Sequence, residues 1–405
     1  KIFIEKKAYI DPEMSILNVI DNKYRDLWGM YDLQRNLKKK NIDLFFCNKF
    51  NWNLAINYIN PSIIILPHIR NDSPHFKKIV NVAYEKKIKI ICYPSESLDY
   101  RKHYLENEFP SNILDKIDKL FMWTIEQGKY IDEKNKDKIV VTGTTRFKVD
   151  KSIDHQGKIK TIGVTSSGRY LAPLTGNNNI IYTIKSRQKV HWAVSLLKGE
   201  VEFIDFLCQL MELAKELNIK LIYKPHPFEK IKLYREAIPD LIIEDDPDIR
   251  NFFKKIDICI NHVSSANLQA LKNKVPVINI SNSLNLNDEF KEFFEDYVPS
   301  KLGIPVENIE NLKKILINNN IEELFNMNIE RGDLKSLQNL IPEYDTTNIM
   351  TEELSKMYTD KKRRKLINLI PYLLKEIYLI IFKKNRDTLF RPFSKKDENL
   401  LKKFN

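Results

Sequence analysis

The sequence predicts an α/β protein built from two doubly wound, mostly parallel sheets that face each other across a cleft. Three observations carry this expectation. Short apolar runs alternate with amphipathic stretches through the first 150 residues or so, a polar and charged segment at Asp150–Lys160 interrupts them, and a second alternating set follows. Strands alternating with helices give parallel sheets joined by crossover helices. Such sheets bind ligands beyond the carboxyl ends of their strands.

In the first domain, residues 1–150, the apolar runs Ile2–Ile4, Asp43–Phe46, Ile63–Leu66, Ile88–Tyr93, Lys119–Trp123 and Lys138–Val141 read as strands. Asp26–Lys39 and Phe76–Lys86 lie between them and carry helical periodicity. The second domain, residues 151–345, opens with the strand Thr161–Thr165 and a long helix over Gln188–Leu217. Strands at Lys220–Tyr223, Leu241–Ile243, Asp257–Ile260 and Val275–Ile280 follow, separated by helices.

The tail, residues 346–405, reads as helical and basic. It holds Lys361-Lys362-Arg363-Arg364-Lys365, then the apolar span Leu366–Phe382, then Lys383-Lys384. Pro371, Lys375 and Glu376 interrupt that span, which is short and charged for a membrane crossing. Two readings stand open: an interfacial helix held by basic flanks on the inner membrane surface, or an ordinary helix that packs back on the first domain.

A chain of 405 residues is too long for one core; roughly two to three domains of ~150 residues each are expected. The apolar fraction of 43% suffices for real cores, and only 10 glycines exclude collagen-like or Gly-rich disordered classes. Part of the net charge of +12 is compositional, since Lys, Ile and Asn abound throughout. The rest suits anionic lipid or sugar. No aromatic-plus-basic repeat occurs, so nucleic acid is not expected as a partner. Cys47, Cys92, Cys208 and Cys259 are widely spaced and form no CxxC pair. Buried free thiols in a reducing cytoplasm are therefore expected, rather than zinc or disulfides. The opening stretch, Lys1–Asp11, carries Glu5, Lys6 and Lys7 and lacks an apolar core, so no secretory signal is expected.

The chemistry concentrates at strand ends. Tyr223-Lys224-Pro225-His226-Pro227 follows one strand of the second domain, and Asn261-His262-Val263-Ser264-Ser265 follows another and leads into a helical pattern. A cation, an imidazole and two hydroxyls together suit a phosphate-bearing donor, because Lys, His⁺ and hydroxyls neutralise a departing phosphate without metal. His226 also suits proton donation to that phosphate. Ser166-Ser167-Gly168 follows the first strand of this domain and reads either as a phosphate-approaching loop or as a plain turn.

In the first domain Glu96 follows a strand, where a carboxylate can deprotonate an acceptor hydroxyl. His68 and Arg70 follow Ile63–Leu66 at the same sheet edge and suit an acceptor or a sugar carboxylate. Thr142-Gly143-Thr144-Thr145-Arg146 reads as a structural turn at the domain hinge. Asp246-Pro247-Asp248 matches a DxD pattern, but Asp248 precedes Ile249–Phe253 and reads as a helix cap, so no metal is expected. Neither GxGxxG nor GxxxxGK[ST] nor GxSxG occurs, which excludes dinucleotide, P-loop and nucleophile-elbow readings.

Lys224-Pro225-His226-Pro227 resembles the HP motif, and His262-Val263-Ser264-Ser265 the SS/T motif, of bacterial GT-B sialyltransferases and related Kdo transferases. The wider pattern, over about residues 1 to 300, resembles the bacterial surface carbohydrate biosynthesis family. Its acidic D/E-E-G-type motif would fall on Ser95-Glu96-Ser97, with Ser95 for the first acid and Ser97 for glycine. Its TGNPRFD-like segment would fall on Thr142–Lys148, with Thr144, Thr145 and Lys148 in place of Asn, Pro and Asp. The resemblance implies a GT-B fold in which His226, Ser264 and Ser265 bind the phosphate of CMP and Glu96 acts as base. It also implies a CMP-activated acidic sugar as donor, a sialic-acid-like nonulosonate or Kdo, with no other cofactor.

The expected protein is thus a cytoplasmic, peripherally membrane-associated GT-B glycosyltransferase that hands its sugar to a glycan or glycolipid acceptor in surface polysaccharide or lipopolysaccharide synthesis. Inverting displacement is favoured, with a retaining course also open. Three rivals stand beside it. A CDP-alditol phosphotransferase of teichoic-acid type would need a second histidine in the first domain, for which His68 is the candidate. The others are a sugar-nucleotide epimerase of the same fold and a catalytically degenerate scaffold.

Overall fold

The computed structural model describes residues 14–96, 98, 101–147, 156–165, 187–226, 229–246, 248–286, 288, 291 and 297–357. They fall into two compact units, one formed up to Arg146 and again from Ile341, the other from Phe147 to Leu340.

The first unit runs β1 (Met14–Ile20), α1 (Lys23–Lys39), β2 (Ile42–Asn48), α2 (Trp52–Ile59), β3 (Ile63–Leu66), α3 (Pro74–Glu85), β4 (Lys89–Cys92), α4 (Lys102–Glu108), α5 (Ser111–Leu114), β5 (Lys119–Met122) and β6 (Ile139–Val141). All strand pairs are parallel, in the order β2-β1-β3-β4-β5-β6. The second unit runs β7 (Thr161–Thr165), α6 (Arg187–Glu216), β8 (Lys220–Lys224), α7 (Ile231–Ala237), β9 (Ile242–Ile243), α8 (Ile249–Phe253), β10 (Ile258–Asn261), α9 (Ala266–Lys272), β11 (Val277–Asn279), β12 (Ile304–Pro305), α10 (Ile309–Asn318), α11 (Ile321–Glu330) and α12 (Asp333–Leu340). Its strands are also parallel, in the order β12-β11-β10-β7-β8-β9. Helix α13 (Thr346–Lys356) belongs to the first unit and packs on α1.

The central apolar runs became strands because they are buried from both faces, whereas β6 is half-buried and Ile242 in β9 is exposed. Ile63, Ile64 and Leu66 are fully buried in β3, as are Ile258 and Ile260 in β10. Fully burying one such side chain contributes about 1.5–3 kcal/mol, which outweighs the weak intrinsic preferences of runs this short. Helix α1 follows from Leu27, Met30, Leu33 and Leu37, which recur at helical spacing and are all buried.

Several expectations change here. Ile2–Ile4 lies outside the described residues, and the first described strand is β1, which the apolar pattern missed. Ser15 and Asn18 break its apolar run, yet both are buried in β1, a central strand between β2 and β3. Strand β12 was missed because it is two residues long. The expected linker Asp150–Lys160 is not a free connector in its described part. Gly157 donates its backbone N–H to both carboxylate oxygens of Glu322 (3.0 and 3.1 Å), and Lys160 and Thr161 donate theirs to Asp257 Oδ2 (2.7 and 2.8 Å). Of the expected tail, residues 346–357 return to α1, and residues 358–405 lie outside the described residues. Of the cysteines, Cys47, Cys92 and Cys259 are buried, while Cys208 is exposed. It points away from the core because it lies on the solvent side of α6.

Candidate functional site

Each sheet has one place where strand order reverses. In the second unit it lies between β7 and β10, which pair directly and whose following crossovers leave in opposite directions. Asn261, the last residue of β10, donates its side-chain amide to Thr165 Oγ1, the last residue of β7. Its carbonyl oxygen accepts the Ser264 backbone N–H at 3.0 Å. One buried side chain therefore ties two strand ends together and sets the course of the loop that carries both serines.

Ser264 Oγ accepts the Ala266 N–H at 3.2 Å and so opens α9, while Ser265 has helical backbone angles (φ −65°, ψ −3°). Both residues are half-buried. His262, two residues before Ser264, is buried beside Phe203 at 6.2 Å between ring centroids. Burial pushes its pKa down to about 3, so the imidazole is neutral at ordinary pH.

At the end of β8, next to β7 on the other side, Pro225 is buried and His226 half-buried. The His226 carbonyl accepts the Glu229 N–H at 2.9 Å, and buried Glu229 accepts the Tyr223 hydroxyl at 2.8 Å. Glu229 thus ties the His226 carbonyl to the end of β8 through Tyr223. The strands β10, β7 and β8 are adjacent; the His226 and Ser264 loops therefore leave strands about 10 Å apart, two inter-strand spacings.

Lys224 does something else. Its ammonium donates to the backbone carbonyls of Glu244 (3.2 Å) and Asp246. Burial lowers its pKa, and the carboxylates of Glu244, Asp246, Asp245 and Asp248 oppose that shift. Lys224, expected to bind phosphate, thus clamps the segment after β9. Asp248 caps α8 by accepting the Arg250 N–H at 3.0 Å, as the sequence suggested for the DxD match. Ser166, Ser167, Gly168 and Pro227 lie outside the described residues. Among the described residues no group of three or more His, Cys, Asp or Glu side chains is arranged to hold a metal ion.

In the first unit the order reverses between β1 and β3. His68, just beyond β3, is buried, with its ring edge-on to Phe76 at 4.2 Å. Its Nε2 stands 4.0 Å from Asp21 Oδ2, and Lys49 donates to Asp21 Oδ1 at 2.8 Å. Asp21 went unread because β1, which it follows, went unread. Arg70 Nε lies 3.8 Å from both Glu108 and Asp72. Burial works against its charge, but Glu108, then Tyr104, Glu96 and Asp72, outweigh burial and hold the guanidinium above its ordinary value. Arg70 therefore compensates the buried carboxylate Glu108. Glu96 is exposed, in the field of Arg70.

A shallow concavity open to solvent lies at this same sheet edge, lined among others by Asn18, Asp26, Tyr93, Trp123, Thr145 and Arg146. The Thr145 N–H donates to the Tyr93 hydroxyl at 2.7 Å, and that hydroxyl donates to Thr145 Oγ1 at 3.2 Å. The Thr142–Arg146 turn, expected at a hinge, thus walls a pocket. Only the three-dimensional path of α1 could reveal this: Gly29 lets the helix approach so closely that an added Cβ would stand 2.5 Å from Thr145 Oγ1.

No family model matches the chain, and no curated protein does. Solved structures match its fold. An S. aureus MnaA–UDP co-structure is 15% identical, covers 87% of this chain and 100% of its own, and gives a TM-score of 0.52. A putative UDP-N-acetylglucosamine 2-epimerase from Listeria monocytogenes is 15% identical over 87% of this chain and 98% of its own, with a TM-score of 0.52. A variant of the wall teichoic acid polymerase TagF is 11% identical over 90% of this chain and 91% of its own, with a TM-score of 0.51. The fold is α/β of GT-B type. At this level of identity the likeness extends to the fold alone. Among the described residues no helix is long and apolar enough to cross a membrane.

Proposed function

We propose that this chain is a GT-B transferase that takes a CMP-linked acidic sugar, a sialic-acid-like nonulosonate or Kdo, and passes it to a glycan or glycolipid acceptor in bacterial surface polysaccharide or lipopolysaccharide synthesis. One observation carries the reading: His226 and the Ser264-Ser265 pair stand on loops leaving β8 and β10, on either side of β7 and beside the switch point where open sheets bind ligands. An imidazolium at His226 neutralises charge on the departing CMP phosphate and can hand it a proton. The Ser264 and Ser265 hydroxyls hold the same phosphate, and Asn261 fixes their loop. Glu96 takes the acceptor proton; its exposure leaves it open to an incoming hydroxyl. The chemistry needs no metal. Residues 358–405 supply the basic charge for a peripheral hold on an anionic membrane face, which co-sedimentation with anionic vesicles tests.

The Asp21–His68 pair favours a second reading. A carboxylate beside an imidazole is the arrangement of a general base, and it supplies the first-unit histidine that a CDP-alditol phosphotransferase would need. Calorimetry with CMP, CDP and UDP separates the readings. Tightest binding of CMP supports the glycosyltransferase, CDP the phosphotransferase and UDP an epimerase. Binding of none leaves a scaffold.

A further inference from the structure

Helix α6 has two apolar faces; among the described residues one is buried in the core and the other is covered only in part. Ala193, Leu196, Phe203, Leu207, Leu210 and Leu213 are buried in the second unit. Along another side run Val194, Leu197, Val201, Ile204, Cys208 and Met211, in unbroken alternation of three- and four-residue steps. That alternation is the heptad seam of a coiled coil. Val194 is 43% and Val201 53% exposed, and Cys208 is exposed as well. Leu197, Ile204 and Met211 are half-buried, the last two packed against the margin of the core. Single exposed valines are ordinary; an apolar series in heptad register on a 30-residue helix is not scattered in that way.

The charges beside the seam identify what covers it. Lys198, Asp205 and Glu212 are exposed and stand one heptad apart on one flank. On the opposite flank, Ala193, Leu207 and Ala214 are buried in the core. A parallel pair of helices couples one flank to the opposite one, which is unavailable for contact here. An antiparallel pair couples like flanks.

We propose that α6 pairs antiparallel with α6 of a second copy of this chain about a two-fold axis. In this register Val201 packs on Ile204 of the second copy, Val194 on Met211 and Leu197 on Cys208. The same register sets Lys198 opposite Asp205 of the second copy, twice by symmetry. The pairing closes on itself, so it yields a dimer and no longer assembly.

Light scattering over a concentration series tests the pairing. The expected mass is twice that of the chain. Val201→Asp places a charge in the seam and raises the dissociation constant more than about tenfold; circular dichroism confirms that this exposed substitution leaves the fold in place. Lys198→Asp alone weakens the dimer, and Lys198→Asp with Asp205→Lys restores it. The register has its own readout. With diamide accepting the electrons and protons of two thiols, Leu197→Cys forms a disulfide with Cys208 of the second copy, and adding Cys208→Ser abolishes it. A monomer at all concentrations overturns the proposal, as does a dimer indifferent to Val201→Asp or a variant that forms no Leu197→Cys to Cys208 link. A monomer whose α6 amides resist hydrogen exchange assigns the seam to another segment of the same chain, which also overturns it.

Discussion

Asn261 donates its side-chain amide to Thr165 across the two strands where the order of the second sheet reverses. With its carbonyl oxygen holding the Ser264 N–H, it couples the switch point to the serine loop. Asn261→Ala removes a hydrogen-bond partner from the buried Thr165 hydroxyl and from the half-buried Ser264 N–H and costs about 1–3 kcal/mol. Urea melts measure that loss, and calorimetry will show nucleotide binding weakened more than the melt alone explains. Unchanged nucleotide affinity in a folded Asn261→Ala protein would remove the serine loop from the site.

On the proposed reading, His226→Ala lowers transfer by roughly 10²- to 10³-fold while leaving the melting curve within about 0.5 kcal/mol, since a half-buried loop imidazole adds little to packing. Steady-state kinetics with a CMP-sugar donor read the first quantity and denaturant melts the second. Wild-type turnover in this variant sinks the donor-side assignment.

Lys224→Met separates a clamp from a phosphate ligand. The lysine holds the carbonyls of Glu244 and Asp246, so its loss is expected to destabilise the second unit by about 1–2 kcal/mol. Nucleotide affinity should move less than about threefold, well under the loss expected from removing a charge-assisted phosphate contact. A large drop in affinity with stability intact would return Lys224 to the ligand set.

The neutral, buried His262 makes stability depend on pH. Its folded pKa, about 3, lies below the ordinary 6.5, so the unfolded chain binds the proton first. Stability is full above the unfolded value and is lost as pH falls from there toward 3. Between about pH 7.5 and 4.5 this one group contributes a loss of about 2–3 kcal/mol. His262→Gln does not titrate, and its stability should fall less over the same interval. Parallel pH profiles for the two proteins would contradict the assignment.

Gly29→Ala tests the wall of the first unit's pocket. The new methyl would meet the Thr145 hydroxyl and its carbonyl oxygen, 2.5 and 2.7 Å away, and helix and turn must separate. A cost of about 1–3 kcal/mol is expected. If the pocket takes the acceptor, the acceptor KM rises while the donor KM stays.

Much of the fold was legible. Ile63–Leu66 was found with its bounds, and the long helix was placed within one residue at each end, because burial on both faces of a sheet or one face of a helix leaves a periodic mark. Strand β1 left none, since a central strand can bury Ser15 and Asn18 when parallel neighbours lie on both sides. With β1 went Asp21, and with Asp21 the reason why His68 stands where it does.

By itself the sequence determined two parallel α/β units and the strand ends bearing His226, Ser264 and Ser265, because strand, turn and helix are each written locally in apolar period and chain-breaking residues. Only the tertiary structure decided which groups at those ends are already engaged. Lys224 turned to backbone carbonyls, Arg70 to a buried carboxylate, and Asn261 to the neighbouring strand. The physical reason is that a side chain's partner is set by which strands lie side by side. Strand order brings Thr165 and Asn261, far apart in the chain, to one sheet edge, where each buried polar group has to find its partner.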